Sequence, residues 1–356
     1  MSAAQTTIRY VRTALFESVD AVRLDTFRRC FTLTFIVYMS ASFMHAREWL
    51  TLRGFHCTGR TTNELIPDPF SLLSMNAVAG LAIVLFTSSL CVVIGLYTRL
   101  MTWIVLGCAV YVQGADLITA HTINKLYIVG FLLLALSPSP RVLVDERGKK
   151  KLLQSVWPIR VLQATLLIMY FTSGTSKLIH GEWLDHSDVL WTQVQGLDRT
   201  DLASWMLRNL PKSAWAVMMY TALAFEVCAP VLFGVRRLRP IAFLLGGGMH
   251  LMIALTMRNH FFFSIVVVAY YVLFMEMHTL VGSRRWLGRH LLPGFVRNFF
   301  RAHSNRQMSL SNAAPIELGN RKKRRFRRKR KRRSKGNPYL EKKPDGDDEK
   351  KRSRFN

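Results

Sequence analysis

The stretch 158–177, "PIRVLQATLLIMYFTSGTSK", decides the kind of fold that this chain can adopt. It is apolar for most of its length, and about 20 such residues are needed to cross the hydrocarbon core of a bilayer. It ends on Lys177, and His180, Glu182 and Trp183 follow within a few positions. An apolar run of membrane length that opens into titratable groups predicts a membrane span with a chemical site at one end.

Seven further stretches have the same apolar character, and 123–139 is the short one among them. In chain order they are 26–45, 72–96, 100–118, 123–139, 214–234, 240–257 and 260–281. Backbone that is exposed to lipid must form its hydrogen bonds within its own segment, which leaves helices as the natural solution for separate apolar runs. The sequence therefore predicts an all-α fold, a polytopic integral membrane bundle of about eight transmembrane helices.

The chain divides into three parts around these spans. Residues 24–282 form the transmembrane domain, and residues 1–23 precede it as a cytoplasmic amphipathic segment on the inner leaflet. The apolar residues at helical spacing in that segment are Ile8, Val11, Leu15, Val19 and Val22. Residues 283–356 are expected to form a basic, disordered cytoplasmic tail.

The segment 178–213 mixes charged residues, apolar residues and tryptophans, so it is not expected to span. Tryptophan is enriched at the boundary between lipid and water, where its ring is apolar and its N–H can bond. Trp183, Trp191 and Trp205 are spread along this segment. We therefore predict interfacial helices at the outer membrane surface, as a lid over the fifth span or as its anchor.

Basic residues set the expected orientation, because loops rich in Lys and Arg stay in the cytoplasm. The basic connections are "RVLVDERGKKK" (141–151) and "RRLR" (236–239), together with the N-terminal segment and the tail. With eight spans, all of these lie on one side. The N- and C-termini are then cytoplasmic, and Lys177 lies at the outer face.

The formal net charge of +27 comes largely from one block in the tail, "RKKRRFRRKRKRRSK" (321–335). A basic segment next to a membrane is typically held by anionic lipids of the inner leaflet. The residues assigned to this contact are Arg321, Lys322, Lys323, Arg324, Arg325, Arg327 and Arg328. Nucleic acid is the less favoured alternative, because Phe326 is the only aromatic residue within the block.

Two titratable residues of the later spans lie well away from the span ends, where each needs a compensating partner. They are Glu226, in the sixth span, and His250, in the seventh beside the glycines 246–248 that allow close helix approach. The favoured interpretation is a structural hydrogen bond, which could join these two residues. The alternative is a role in ligand binding. No CxxC, HExxH or nucleotide-binding motif occurs, and no metal site is predicted.

Lys177 has two interpretations. It could extend its amine to the interface while its stem stays in lipid. Alternatively, burial would penalise the ammonium and leave a neutral amine able to accept a proton. Tyr170, Ser173 and Lys177 share one helix face, which would place two hydroxyl groups beside the amine.

Several segments of the chain resemble those of a known family. "IMYFTSGTSKLIHGEW" (168–183) is similar to the segment Y-F-x-x-G-x-x-K-L, followed by an acidic residue and Trp, of vitamin K-dependent gamma-carboxylases. The resemblance extends in order through "VDAVRLDTFRRCFTLTF" (19–35), "IGLYTRLMTWIVL" (94–106), "INKLYIVGFLLLAL" (123–136) and "NHFFFSIVVVAYYV" (259–272). These segments together resemble the HTTM domain, the transmembrane module shared by gamma-carboxylases and many bacterial proteins.

The resemblance implies a role for Lys177. In the carboxylases the corresponding lysine is the base that deprotonates vitamin K hydroquinone. Reaction with O2 then gives a stronger base, which removes a gamma proton from a peptide glutamate so that CO2 can add. The implied cofactor is reduced vitamin K, a menaquinol-type quinol, with O2 and CO2 as co-substrates, and the implied partners are membrane lipids and a secreted peptide or partner protein. The candidate residues for binding quinol or substrate are Tyr170, Ser173, His180, Glu182, Trp183, Lys125, His121, His250, Glu226 and Asn259.

The chain also departs from the family pattern. Lys125 stands at the position of a family histidine, with His121 displaced, and Thr256 stands at the position of a second one, with His250 offset. The large extramembrane domain that follows the spans in the carboxylases has no counterpart in 283–356. Two functions therefore remain open: quinol-coupled chemistry on a peptide or lipid, and a non-catalytic HTTM scaffold that assists maturation or export of a partner. A transporter is less favoured, because the chain lacks paired broken helices in matching halves.

A peptide covering 321–335 is expected to bind anionic vesicles, because each basic side chain near such a surface contributes about 1 kcal/mol. Binding should weaken as salt rises, since these charges are solvent-exposed and screened. Co-sedimentation with vesicles over a salt series measures this, with neutral phosphatidylcholine vesicles as the control. Tighter binding to RNA than to anionic vesicles at the same salt would contradict the lipid assignment.

Overall fold

The computed structural model describes residues 15–51, 53, 73–115, 122–144 and 150–290. Parts of three predictions lie outside these ranges. They are the residues before 15 in the amphipathic segment, His121, and the basic block 321–335 of the tail.

The described ranges are mostly helical. The helices are α1 (Val22–Phe43), α2 (Ala46–Trp49), α3 (Met75–Ile94), α4 (Thr98–Ala115), α5 (Thr122–Leu136), α6 (Trp157–His180), α7 (Val189–Val194), α8 (Asp201–Asn209), α9 (Lys212–Gly234), α10 (Arg239–Thr256), α11 (Phe261–Tyr271) and α12 (Met277–His290). A short 3-10 turn, Arg236–Leu238, joins α9 to α10. A helix therefore stands at each of the eight stretches that the sequence predicts as spans, and α7 and α8 lie in the predicted interfacial segment.

Local sequence signals account for several helix ends. Ser74 caps α3 by accepting a hydrogen bond from the backbone N–H of Ala77, and α3 ends at Gly95, whose φ of 99° suits glycine. Pro158 lies in the first turn of α6, where its missing N–H leaves no helical bond unmade. Thr200 caps α8 by accepting from the N–H of Ala203.

Three helical segments in the described ranges are long and apolar enough to cross a membrane: Met75–Ile94, Lys212–Gly234 and Arg236–Thr256. Helices α5 and α11 are apolar but shorter, with 15 and 11 residues. At 1.5 Å per residue they extend about 22 Å and 16 Å, less than the roughly 30 Å core of a bilayer. The structure thus supports a helical membrane protein, and it does not confirm that all eight helices cross.

The expectation of an all-α fold is wrong in one respect, because the described residues include a three-stranded antiparallel sheet. Its strands are β1 (Ser18–Asp20), β2 (Arg141–Val144) and β3 (Lys150–Ser155), in the order β1-β3-β2. Residues 18–20 therefore pair as a strand instead of continuing the predicted amphipathic helix. Val19 is half-buried between two exposed neighbours, an alternation that a strand produces as readily as a helical spacing does.

An aromatic cluster forms the centre of the helical core. Phe27, Phe31 and Phe35 recur every four residues along α1 and are almost fully buried. Their rings pack against Tyr127 and Phe131 of α5 and Tyr270 of α11, with ring centroids 4.9 to 5.6 Å apart. Helices α1, α5 and α11 are thereby held together by edge-to-face contacts.

Helices α6 and α9 approach each other closely at Gly174. A Cβ atom placed on Gly174 would lie 2.9 Å from the backbone nitrogen of Val227 and 3.0 Å from the Cβ of Glu226. A larger residue would therefore push the two helices apart. One turn along α6 from this contact lies Lys177, so Gly174 also controls where that side chain meets α9.

We expect Gly174→Ala to destabilise the protein by about 1–3 kcal/mol, because the added methyl group overlaps backbone that cannot rotate away. Thermal unfolding in detergent measures the change. The matched control is Gly107→Ala in α4, where a Cβ meets nothing within 4 Å. That variant should be stabilised by at most about 1 kcal/mol, because alanine has the better helix propensity. Equal effects at the two positions would contradict the close α6–α9 approach.

Candidate functional site

Lys177 and Glu226 form an ion pair that joins α6 to α9. The Lys177 Nζ donates to both carboxylate oxygens of Glu226, at 2.6 Å and 2.7 Å. The Glu226 side chain is only 9% exposed and that of Lys177 27%. Because removing one partner would leave a charge in an apolar setting, the pair holds the two helices in register.

Trp183 covers the amine from the other side. Helix α6 ends at Gly181, and the following turn brings the indole ring over Lys177, with Nζ 4.5 Å from the ring centroid. Trp183 is itself buried and packs against Met219 and Leu223 of α9. The amine thus contacts a carboxylate and the face of an aromatic ring, and both favour a positive charge there.

A second buried polar network lies beside this pair. The Tyr170 hydroxyl is 2.7 Å from Nε2 of His250 and 2.7 Å from the hydroxyl of Tyr271, which links α6, α10 and α11. Glu226 lies within electrostatic range of Tyr170, and Lys177 within range of His250. The network and the ion pair therefore belong to one polar region of the interior.

This geometry corrects two expectations from the sequence. Glu226 pairs with Lys177, and His250 with Tyr170, so the suggested Glu226–His250 bond does not form. The Tyr170 hydroxyl bonds to His250 and Tyr271 and is not a partner of the amine. Of the glycines 246–248, only Gly246 lies at a close approach, because the Tyr271 hydroxyl occupies the space that a Cβ there would need, whereas a Cβ on Gly247 or Gly248 would meet nothing within 4 Å.

A cavity of about 630 Å³ opens beside Lys177 and Glu226, in the range typical of small-molecule sites. Its walls come from the end of α6, the segment around α7, and the facing sides of α9 and α10. Apart from the ion pair, the lining is mostly apolar and includes Leu245, Met249, Met252 and Ile253. Its polar exceptions are Gln193, Thr221, Thr256 and His260.

The mouth of this cavity faces the outer surface of the helical bundle. Val217 of α9 and Leu244 of α10 both line it, and they are 66% and 74% exposed. Both lie within segments that are long and apolar enough to cross a membrane. Exposed apolar side chains of two such segments therefore border the cavity that the charged pair also lines.

A second cavity, of about 660 Å³, adjoins the turn between α10 and α11. Its lining includes Tyr38, Asn124, Asp198 and Asn259, and His260 lines both cavities. The Asn259 side-chain amide donates to Asp198 at 2.6 Å, which ties this turn to the interfacial segment.

The remaining predicted site residues that the structure describes do not line the Lys177 cavity. His180, Glu182 and Lys125 are exposed, and Ser173 is half-buried on α6. The structure thus brings together Lys177, Glu226 and Trp183 from the predicted set, and places the Tyr170–His250 pair beside them. Which of these residues bind a substrate stays a prediction.

Sequence reasoning missed Tyr271 and the wall of the cavity formed by α10. Tyr271 lies in the run "VVVAYYV" (266–272), where nothing distinguishes it from neighbouring core residues. The apolar residues of α10 have the composition of any membrane helix. Their contribution depends on how α9 and α10 pack, which local sequence does not encode.

The apolar helices and the enclosed polar site define a helical membrane protein. A family model described as the HTTM domain matches residues 16–286, so the chain belongs to the HTTM domain family. No curated protein and no solved structure matches the chain.

We expect Lys177→Met and Glu226→Met to destabilise the protein individually, because each leaves a charged group without its partner. The double variant should lose less free energy of unfolding than the two single variants lose together, with a coupling energy of about 1–2 kcal/mol. Thermal unfolding in detergent gives the cycle. The control is the exposed pair His278 and Glu276, where the coupling should be close to zero. Additive effects at Lys177 and Glu226 would contradict the ion pair.

Proposed function

We propose that this protein binds a quinol in the cavity beside Lys177 and that the Lys177–Glu226 pair takes a proton from it. The observation that carries this proposal is a charged pair in the wall of a mostly apolar cavity. The same cavity is lined by exposed side chains of helices long and apolar enough to cross a membrane. A quinol lives in the bilayer and presents an acidic hydroxyl group on an apolar body. The cavity offers surfaces that complement both parts.

In the proposed topology, the eight helices α1, α3, α4, α5, α6, α9, α10 and α11 form a multi-pass bundle with cytoplasmic N- and C-termini. The basic connections 141–151 and 236–239 support this orientation, because loops rich in Lys and Arg stay in the cytoplasm. Lys177 then lies at the outer face. Helices α5 and α11 are too short to cross alone, and interfacial segments would complete their path.

The residues of the cavity fit a menaquinol-type quinol, the reduced vitamin K that the family resemblance implies. Met249, Met252 and Ile253 offer flexible apolar contacts for the ring and the start of an isoprenoid chain. Bound there, a quinol would supply a hydroxyl proton and the capacity to react with O2. The exposed Val217 and Leu244 at the mouth would let the rest of the chain remain in lipid.

The pair, more than the amine alone, would act as the base. The Lys177 Nζ donates to both carboxylate oxygens of Glu226, so the remaining acceptor sites of the pair lie on Glu226. Proton transfer to a Glu226 oxygen would leave the Lys177 ammonium to balance the negative charge on the ligand oxygen. Trp183 would keep water from this exchange, since it covers Nζ.

The family resemblance extends this proposal to carboxylation, with CO2 and a glutamate in a secreted peptide as further substrates. The segment 178–213 stands next to Lys177 and is the part of the chain that a peptide at the outer face would meet. His180 and Glu182 are exposed there and could contact such a peptide.

A non-catalytic scaffold is the second candidate. The same segment exposes large apolar side chains, including Leu184, Leu197 and Trp205. Exposed apolar side chains in one segment can bind either the membrane surface or a partner protein. A scaffold that assists maturation or export of a partner would use this surface without needing the ion pair.

The test compares Lys177→Met, Glu226→Gln and the matched control Lys212→Met in membranes supplied with reduced menaquinone. Lys212 also places its amine over a tryptophan, 4.3 Å from the Trp191 ring, yet it is exposed and has no part in the cavity. We expect the first two variants to slow quinol consumption about 100-fold, as loss of a general base typically does. The Lys212 variant should match the wild type. Unchanged consumption in all three would contradict the proposal and favour the scaffold.

A further inference from the structure

Side chains from three helices converge on the chain just after α11. Gln163 Nε2 of α6 donates to the Leu273 carbonyl at 2.8 Å, Arg239 Nη1 of α10 to the Phe274 carbonyl at 3.2 Å, and Arg23 Nη2 of α1 to the Met275 carbonyl at 3.0 Å. The carbonyls at the end of a helix carry partial negative charge and need donors. These three successive carbonyls thus explain why two arginines are drawn to the same place.

Four guanidinium groups lie near one another at this end of α11. Arg160 and Arg236 lie within electrostatic range of both Arg23 and Arg239. Arg23 and Arg239 are half-buried, whereas Arg160 and Arg236 are exposed. Glu276 is an acidic neighbour of Arg239 and offsets one of these charges in part. Four like charges at one spot repel each other, so an added anion would relieve the repulsion.

The cluster lies where lipid headgroups are expected. Lys212–Gly234 and Arg236–Thr256 are both apolar enough to cross a membrane, and Arg236 and Arg239 stand at the junction between them. On the same helix ends, the apolar side chains of Val231, Val235 and Ile241 are exposed. A charged cluster bordered by exposed apolar side chains matches the two chemical parts of a lipid.

We propose that Arg23, Arg160, Arg236 and Arg239 form a binding site for the phosphate of an anionic lipid headgroup. The exposed guanidinium groups of Arg160 and Arg236 bind the phosphate oxygens, because their planar donors match phosphate geometry. Arg23 and Arg239 hold the end of α11 and add positive potential behind the phosphate. The acyl chains lie along the exposed apolar side chains, which favours a lipid over free inorganic phosphate.

The test measures thermal unfolding of the full chain in detergent, with added short-chain phosphatidylglycerol, phosphatidylcholine or inorganic phosphate. The measurements are made at about 0.1 M salt, where the Debye length is about 10 Å and the exposed charges of the site still act. All variants keep the same basic block 321–335, so any contact of that block with lipid is common to every comparison. Phosphatidylglycerol should raise the unfolding temperature of the wild type, and phosphatidylcholine should not. In Arg160→Gln/Arg236→Gln, binding should weaken about 25-fold, or about fivefold for each charge removed.

Arg237→Gln is the matched control, because Arg237 carries the same charge, exposed in the same 3-10 turn as Arg236, and is not one of the four grouped arginines. It should bind phosphatidylglycerol as the wild type does. The double variant removes only exposed side chains, so without lipid it should unfold near the wild-type temperature. The proposed site would be wrong if Arg237→Gln weakened phosphatidylglycerol binding as much as the double variant does. It would also be wrong if the double variant bound phosphatidylglycerol as tightly as the wild type. Equal protection by inorganic phosphate would overturn the lipid as its ligand.

Neither result depends on Lys177, which lies near the opposite end of α6. If this site fails while the Lys177 variants lose quinol consumption, only the lipid proposal falls. If the reverse holds, the lipid site stands without the quinol chemistry.

Discussion

The ion pair between Lys177 and Glu226 constrains the rest of the site. A charged side chain in an apolar interior is costly unless it is paired, so neither residue is stable there without the other. The pair requires α6 and α9 to lie close together, and Gly174 makes that possible by having no side chain. Trp183 then packs on the paired amine, and the cavity is left on the open side. The need to pair these two charges thus determines the α6–α9 spacing, the position of Trp183 and the side on which the cavity opens.

The buried polar groups are divided into two networks with different properties. Lys177 and Glu226 share charge and face a cavity, whereas Tyr170, His250 and Tyr271 form a compact chain of hydrogen bonds between three helices. The second network fixes α10 and α11 relative to α6, and α10 is also a wall of the cavity. It therefore positions the wall against which a ligand would lie, while the ion pair provides the group that could react with it.

Sequence reasoning located the helices well, because the length and polarity of an apolar run are local properties. It placed Glu226 and His250 inside helices correctly and paired them wrongly, because their helices follow one another in the chain. The true partner of Glu226 comes from α6, brought in by a glycine whose role appears only when two helices pack. The sheet was missed for a similar reason: Val19 fits a helical spacing, and the β3 strand that pairs with it lies far along the chain. Patterns within a segment were readable, and contacts between segments were not.

The short helix α11 shows how the bundle compensates for a local weakness. With 11 residues it cannot reach across a bilayer core, and each of its ends leaves backbone groups unpaired. Before it, the N–H of Arg258 donates to the Asp198 carbonyl and the N–H of Thr200 to the Thr256 carbonyl, which clip the turn to the interfacial segment. After it, side chains of α1, α6 and α10 bind the free carbonyls. Because arginines do this at one end only, that end keeps excess positive charge, while the charge at Lys177 is neutralised within the protein. The same helices therefore form two different sites. The cavity beside Lys177 suits an apolar compound that can donate a proton, and the arginine cluster suits an anion.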